Sequence, residues 1–191
     1  ELSPNGTAPQ ARSHHSAVWI DVLNGMVIFG GEFAPTWNSV DYDCEYFSDM
    51  HLYLPETNEW QELRSNHWVD RDKRSSHSAT WDESLNRMLV VGGYECKTRA
   101  CRTLQDWHSY DPETNMWEDL GYISWDFRNL GRGGHSIVWV DGLDSGAYGM
   151  LLYGGFSRGP LDWFFRTDLQ MYNYNSSVVL GGYEFDPKDH H

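Results

Sequence analysis

Three histidines in this chain could act together. His15, His77 and His135 each stand three residues after an arginine (Arg12, Arg74, Arg132) and directly before a serine. Three imidazoles with one open position make a zinc site of the catalytic kind, provided the fold gathers them. The plainer expectation is that each imidazole hydrogen-bonds within its own segment, and that each arginine ties a loop to that segment. Asp49-Met-His51 and Asp106-Trp-His108 look like a second set of ligands. The third segment, however, has Gln170 in the histidine position, so no shared metal is expected. Cys96 and Cys101 lie five residues apart and could close a small hairpin disulfide if their Cα atoms approach within about 7 Å, leaving Cys44 as an odd thiol.

No nucleophile–base arrangement is readable. The chain has no Gly-x-Ser-x-Gly, no phosphate-binding glycine loop and no His-Glu-x-x-His. Its 14 basic and 28 acidic residues give a net charge of −14, which repels a phosphate backbone and disfavours nucleic-acid binding. No stretch approaches the roughly 20 apolar residues of a membrane span. An aromatic content of 15%, with ten Trp and eleven Tyr, is far above that of a disordered chain. Asn5-Gly-Thr7 and Asn175-Ser-Ser177 match the glycosylation acceptor pattern. With the cysteine pair, they favour an extracellular or secreted protein over a cytoplasmic one.

The elements that must position these residues recur in step. Arg12-Ser-His-His-Ser-Ala-Val-Trp19 returns as Arg74-Ser-Ser-His-Ser-Ala-Thr-Trp81 and as Arg132-Gly-Gly-His-Ser-Ile-Val-Trp139. Apolar runs ending in Gly30-Gly31, Gly92-Gly93 and Gly154-Gly155 follow, each doublet 62 residues after the last. A period of this length marks stacked supersecondary units. Four short strands per unit are predicted: His-Ser-x-x-Trp, the apolar run, the Asp49–Tyr53 type segment, and a strand holding Trp60 or Trp117. The turns Pro55-Glu-Thr-Asn58 and Pro112-Glu-Thr-Asn115 separate the last two. Nothing shows helical periodicity, and the predicted class is all-β.

Four strands per unit, paired glycines and a Tyr…Trp pair seven residues apart resemble the kelch repeat of β-propellers, from about Arg12 to Tyr174. The resemblance implies a ring of four-stranded blades packed around a channel. The predicted blades are 12–63, 74–120 and 132–180 of a single domain or fragment, with 181–191 a tail or the start of a degenerate fourth repeat. Val179 stands where the third Trp would fall. Three blades do not close a ring, since propellers have about four to eight, and half of a six-bladed ring is the expectation. Further blades or a second copy would complete it.

The resemblance also implies a non-catalytic module that binds another protein. Arg12, Arg74 and Arg132 would face bound peptide at the channel mouth. Loops after the glycine doublets and between repeats would share one face, and aromatics dominate interface hot spots. Trp37, Tyr46, Trp68, Trp125, Trp163 and Phe164 are the candidate contacts, and no cofactor is expected. Two other readings stand beside this one. The first is a carbohydrate-binding or metal-dependent propeller enzyme of the galactose-oxidase-like kind, with a glycan as partner. The second is an assembly protein that closes its ring by oligomerisation.

Overall fold

The computed structural model describes residues 2–36, 43–65, 73–97, 100–123, 131–140, 149–159, 163–173, 176–181 and 184–185. Three antiparallel sheets follow the three repeats. In the first, β2 (Ser16–Ile20), β3 (Gly25–Phe29), β6 (Met50–Leu54) and β7 (Glu59–Leu63) pair in sequence order, and β1 (Asn5–Gly6) adds in parallel to the outer edge of β7. The second consists of β8 (Ser78–Asp82), β9 (Arg87–Lys97), β10 (Ala100–Asp111) and β11 (Met116–Tyr122). The third consists of β12 (Ser136–Val140), β13 (Gly149–Tyr153), β16 (Leu169–Asn173) and β17 (Ser176–Gly181).

Local chemistry explains these elements. The strands are short runs of β-branched and aromatic residues bounded by polar turns. Asn24, Asn58, Asn86 and Asn115 each take a left-handed backbone with φ of 48–56°, which asparagine tolerates better than most side chains. Asn58 and Asn115 also accept hydrogen bonds from Tyr53 and Tyr110, at 2.8 and 2.9 Å. The Tyr…Trp spacing of seven is thereby a cross-strand pairing. Tyr53 sits opposite Trp60 and Tyr110 opposite Trp117, with ring centroids 5.1 and 5.2 Å apart. In the third sheet the register differs: Tyr172 faces Ser177, while Val179 faces Gln170. Val179 is therefore not the counterpart of the missing Trp. Beyond β17, Glu184–Phe185 (β18) joins the hairpin β14 (Phe156–Arg158) and β15 (Trp163–Arg166).

The core lies between sheets. Val18, Ile20, Val27, Phe29, Met50 and Leu52 of the first sheet pack against Met88, Val90, Tyr110 and Trp117 of the second, with Trp81 beside them. Val91 and Ile123 meet Met150, Leu152 and Tyr172 of the third, with Trp107 and Trp139 packed alongside. Each large apolar side chain so buried contributes about 1.5–3 kcal/mol. Trp19 alternates with Val18 and Ile20, turns away from the second sheet and is 47% exposed.

A backbone ladder links the inner strands. His14, Ser76 and Gly134 occupy one repeat position, all with positive φ (53°, 52°, 63°). Ser76 N–H donates to His14 O at 2.9 Å, and Gly134 N–H to Ser76 O at 2.7 Å. In the same way Gly31 N–H bonds Arg74 O (2.8 Å) and Gly93 N–H bonds Arg132 O (2.7 Å). Each unit is thus stitched to the next by the same atoms.

Candidate binding face

The repeated arginines are clamps. Arg74 donates Nη1 and Nη2 to the two carboxylate oxygens of Asp106, both at 2.9 Å, and Nη1 also to Gly92 O at 2.9 Å. Arg132 repeats this on Asp168 (2.8 and 2.7 Å) and Gly154 O (3.0 Å), and Arg12 on Asp49 (2.5 and 2.9 Å) and Gly30 O (2.9 Å). The planar guanidinium suits such two-point binding. His51, His108 and Gln170 complete the clamps on Asp49, Asp106 and Asp168. The Asp-x-His pairs are therefore halves of this device. Burial would raise the Asp106 pKa, but the hydrogen bond with His108 and the charge of Arg74 outweigh it and hold the carboxyl far below its usual range. Asp49 and Asp168 are lowered too, their arginine bonds outweighing burial.

The expected place of Arg12, Arg74 and Arg132 at the channel mouth is corrected by this geometry. Arg74 and Arg132 are fully buried and the Arg12 side chain nearly so, with their donors turned inward onto Asp and glycine carbonyls. His77 also departs from expectation. Its Nε2 lies 2.8 Å from Ser16 Oγ of the preceding unit, so the bond crosses between sheets and does not stay within one. Burial, followed by the Arg74 charge, lowers the His77 pKa well below the usual value. Burial and the Arg132 charge bring His135 down to about 3. Both rings are neutral at pH 7. Among the described residues, no three histidine, cysteine or acidic side chains form a group that could hold a metal ion.

One end of the blades is elaborated. The register places Ser16, Phe29, Met50 and Leu63 in one row, so the start of the inner strand and the end of the outer strand share an end with the chain leaving the glycine doublet. There each unit builds a hairpin: β4 (Glu32–Phe33) with β5 (Glu45–Tyr46), the outer halves of β9 and β10, and β14 with β15. Single bridges from Ser13, Ser75 and Gly133 to Glu32, Tyr94 and Phe156 hold the hairpins to the inner strands. Cys96 and Cys101 sit opposite each other near the tip of the middle hairpin, Cα atoms 4.0 Å apart, joined by a disulfide.

An aromatic row crosses the three hairpins. Tyr46 lies 6.4 Å from Tyr94, Tyr94 lies 6.2 Å from Phe156 and 5.7 Å from Trp163, and Phe156 lies 5.1 Å from Trp163. The Arg158 guanidinium sits 5.0 Å from the Trp163 ring centroid and donates to Tyr94 Oη. The row is buried at one end and open at the other. Tyr46 is only 6% exposed, which corrects its assignment as a contact, because its ring is spent on packing against Tyr94. Trp163 is 39% exposed. Phe164 is half-buried, and its neighbour Phe165, 51% exposed, offers more ring to solvent. Strand alternation turns Trp163 and Phe165 to one side, a signal readable once the segment is known to be a strand. Trp37, Trp68 and Trp125 lie outside the described residues, as does Asn175. Asn5 is exposed on β1.

Beside the row, a cleft of about 310 Å³ opens between the second and third units. Arg102, Thr103, Gln105, Tyr122, Gly131 and Arg158 are among its lining residues. Arg102 is also tied to the buried Glu95 by a 2.8 Å bond, which fixes the wall.

The KLHDC2/KLHL20/DRC7 Kelch-repeats domain is matched over residues 1–181. The solved structure of YjhT superposes with a TM-score of 0.65 at 17% identity, covering 90% of this chain and 52% of that one, so the chain spans about half its length. That likeness speaks to the fold alone. A search of curated proteins returns no match. The threefold Arg–Asp clamp, the stitched glycine doublets and the domain match over nearly the whole length agree, and the chain belongs to the kelch-repeat family of β-propellers.

Proposed function

We propose that this domain is a non-catalytic protein-interaction module whose hairpin face receives the partner. Membership in a family of interaction propellers supports the class. The observation that carries the site is the aromatic row. It is packed across three units and ends in exposed Trp163 and Phe165 beside a cleft with two arginines. Preorganised aromatic rings bury large areas at small entropic cost, the mark of an interface anchor. Trp163 and Phe165 are the anchors of this reading, Arg158 and Tyr122 its polar rim, and Trp37, Trp68 and Trp125, outside the described residues, stay further candidate contacts.

The test uses proximity crosslinking of the folded chain, comparing wild type with Trp163→Ala/Phe165→Ala. Partners that lose at least about tenfold of their recovery with the double variant, while the circular dichroism spectrum is unchanged, support the face. Equal recovery of every partner contradicts it. A soluble glycan that competes away all recovered partners would move the site to the carbohydrate reading.

The Cys96–Cys101 bond and the exposed Asn5 sequon support an extracellular location for the domain. Endoglycosidase treatment of the native protein should then raise its mobility on a gel. No shift, with both cysteines alkylatable without reductant, would contradict the location.

A further inference from the structure

The middle hairpin differs from the other two at one repeat position. Ser13, Ser75 and Gly133 bridge to Glu32, Tyr94 and Phe156, so these three residues are equivalent, and only Tyr94 brings a hydroxyl. That hydroxyl accepts a hydrogen bond from Arg158 Nη1 of the third unit and lies 3.4 Å from Cys96 Sγ. A disulfide sulfur has no proton to give, so the Tyr94 O–H donates to it. Tyr94 thus stands between the Cys96–Cys101 bond and one arginine of the cleft. Arg158 is seated further by the Trp163 ring, 5.0 Å away, and by its own backbone N–H on Thr103 Oγ1 at 3.2 Å.

The second cleft arginine is coupled to the same bond. Arg102 pairs across the strands with Glu95, one step inward from the Cys101–Cys96 pair. Its Nη2 and Nε lie 2.7 and 2.8 Å from Glu95 Oε1, and Lys97 Nζ lies 3.0 Å from Oε2. The Glu95 side chain is only 3% exposed, and a carboxylate so placed stays buried only while cations remain on it. The closed hairpin holds Arg102 and Lys97 there. Both cysteines are partly exposed, so a reductant can reach them.

We propose that the Cys96–Cys101 bond is a redox switch for this cleft: oxidised, it holds Arg158 and Arg102 in place, and reduction by a dithiol releases them. A thiolate of the dithiol attacks Cys101 Sγ, and the S–S bond breaks toward Cys96, whose leaving thiolate the Tyr94 hydroxyl stabilises. The second thiol of the reductant then displaces Cys101 from the mixed disulfide. Two electrons and two protons end on Cys96 and Cys101, and the reductant leaves as its own disulfide. With the hairpin tip open, the Tyr94 hydroxyl loses the sulfur that oriented it, and Arg158 loses a fixed acceptor. Arg102 is freed with its strand. What the switch governs rests on the proposed receiving face; whether the arginines move does not.

The test is phenylglyoxal modification of the native chain, read at each arginine by peptide mass spectrometry. One sample stays oxidised; the other is reduced with dithiothreitol, which is removed under argon before labelling. Reduction should raise the rates at Arg158 and Arg102 by at least about threefold, with surface Arg64, buried Arg132 and the circular dichroism spectrum unchanged. Cys96→Ser/Cys101→Ser should react at the fast rate whether treated or not. Tyr94→Phe keeps the ring and removes the link, so Arg158 should lose its response to the dithiol while Arg102 keeps its own. Arg158 rates that ignore reduction, that rise together with those of Arg132, or that still respond in Tyr94→Phe would each overturn the switch. A responding Arg158 together with full partner recovery by Trp163→Ala/Phe165→Ala would leave the switch standing and sink the receiving face.

Discussion

Arg74 is a buried charge held by three hydrogen bonds to Asp106 and Gly92 O, and its loss takes the guanidinium from the largely buried Asp106 carboxylate, leaving it the His108 bond. Arg74→Ala is expected to cost about 3–5 kcal/mol, the range for breaking a buried pair, read from the urea midpoint. An exposed pair such as Arg64 with Glu62 should cost far less. The histidines give a second prediction. Burial and the Arg132 charge hold His135 at about 3, while the unfolded chain titrates near 6.5. Its contribution is therefore whole above about pH 6.5 and is lost as pH falls toward 3, because the unfolded state takes up the proton first. Each such histidine costs about 1.4 kcal/mol per pH unit in that window. His77, lowered in the same way, adds to it. Stability of His135→Asn should accordingly fall less steeply between pH 6.5 and 5 than wild type. An unchanged slope would mean that His135 is charged in the fold. The sequence displayed Arg, Gly-Gly and Asp-x-His as separate repeated signals. It did not show that they meet, because each clamp joins an arginine to a carbonyl 18–22 positions on and a carboxylate 32–37 positions on, and only pairing register brings them together.

The strands were legible because each is a short apolar run with polar turns, and the Pro-Glu-Thr-Asn turns could be placed from residue type alone. The hairpins after the glycine doublets were not. Their lengths differ in every unit, and acids mixed with aromatics give no period, so the bridges that fix them (Ser13 to Glu32, Ser75 to Tyr94, Gly133 to Phe156) leave no pattern in the chain. For that reason residue types alone single out Phe164, while strand alternation exposes Phe165. The middle hairpin is closed near its tip by Cys96–Cys101, a loop so short that the chain-entropy gain is about 2 kcal/mol. Reduction should raise amide hydrogen exchange at Tyr94–Leu104 while the inner half of β9, buried from Met88 to Val91, stays protected. Equal loosening of both halves would show that the hairpin and the blade unfold as one.

At the scale of the molecule, the blades have two unlike ends. One carries the hairpins, the aromatic row and the cleft; the other carries the tight turns at Asn24, Asn58, Asn86 and Asn115. The repeat pattern made the stack of blades readable. The unlikeness of its ends was not, since it depends on which loops the register gathers. The central claim is that recognition belongs to the hairpin end. Its most direct measurement compares the affinity of a recovered partner for Trp163→Ala/Phe165→Ala with that for Glu56→Ala/Glu113→Ala at the turn end. The account predicts a loss of at least about tenfold for the first pair and less than about twofold for the second. The reverse order, or equal losses at both ends, would contradict it.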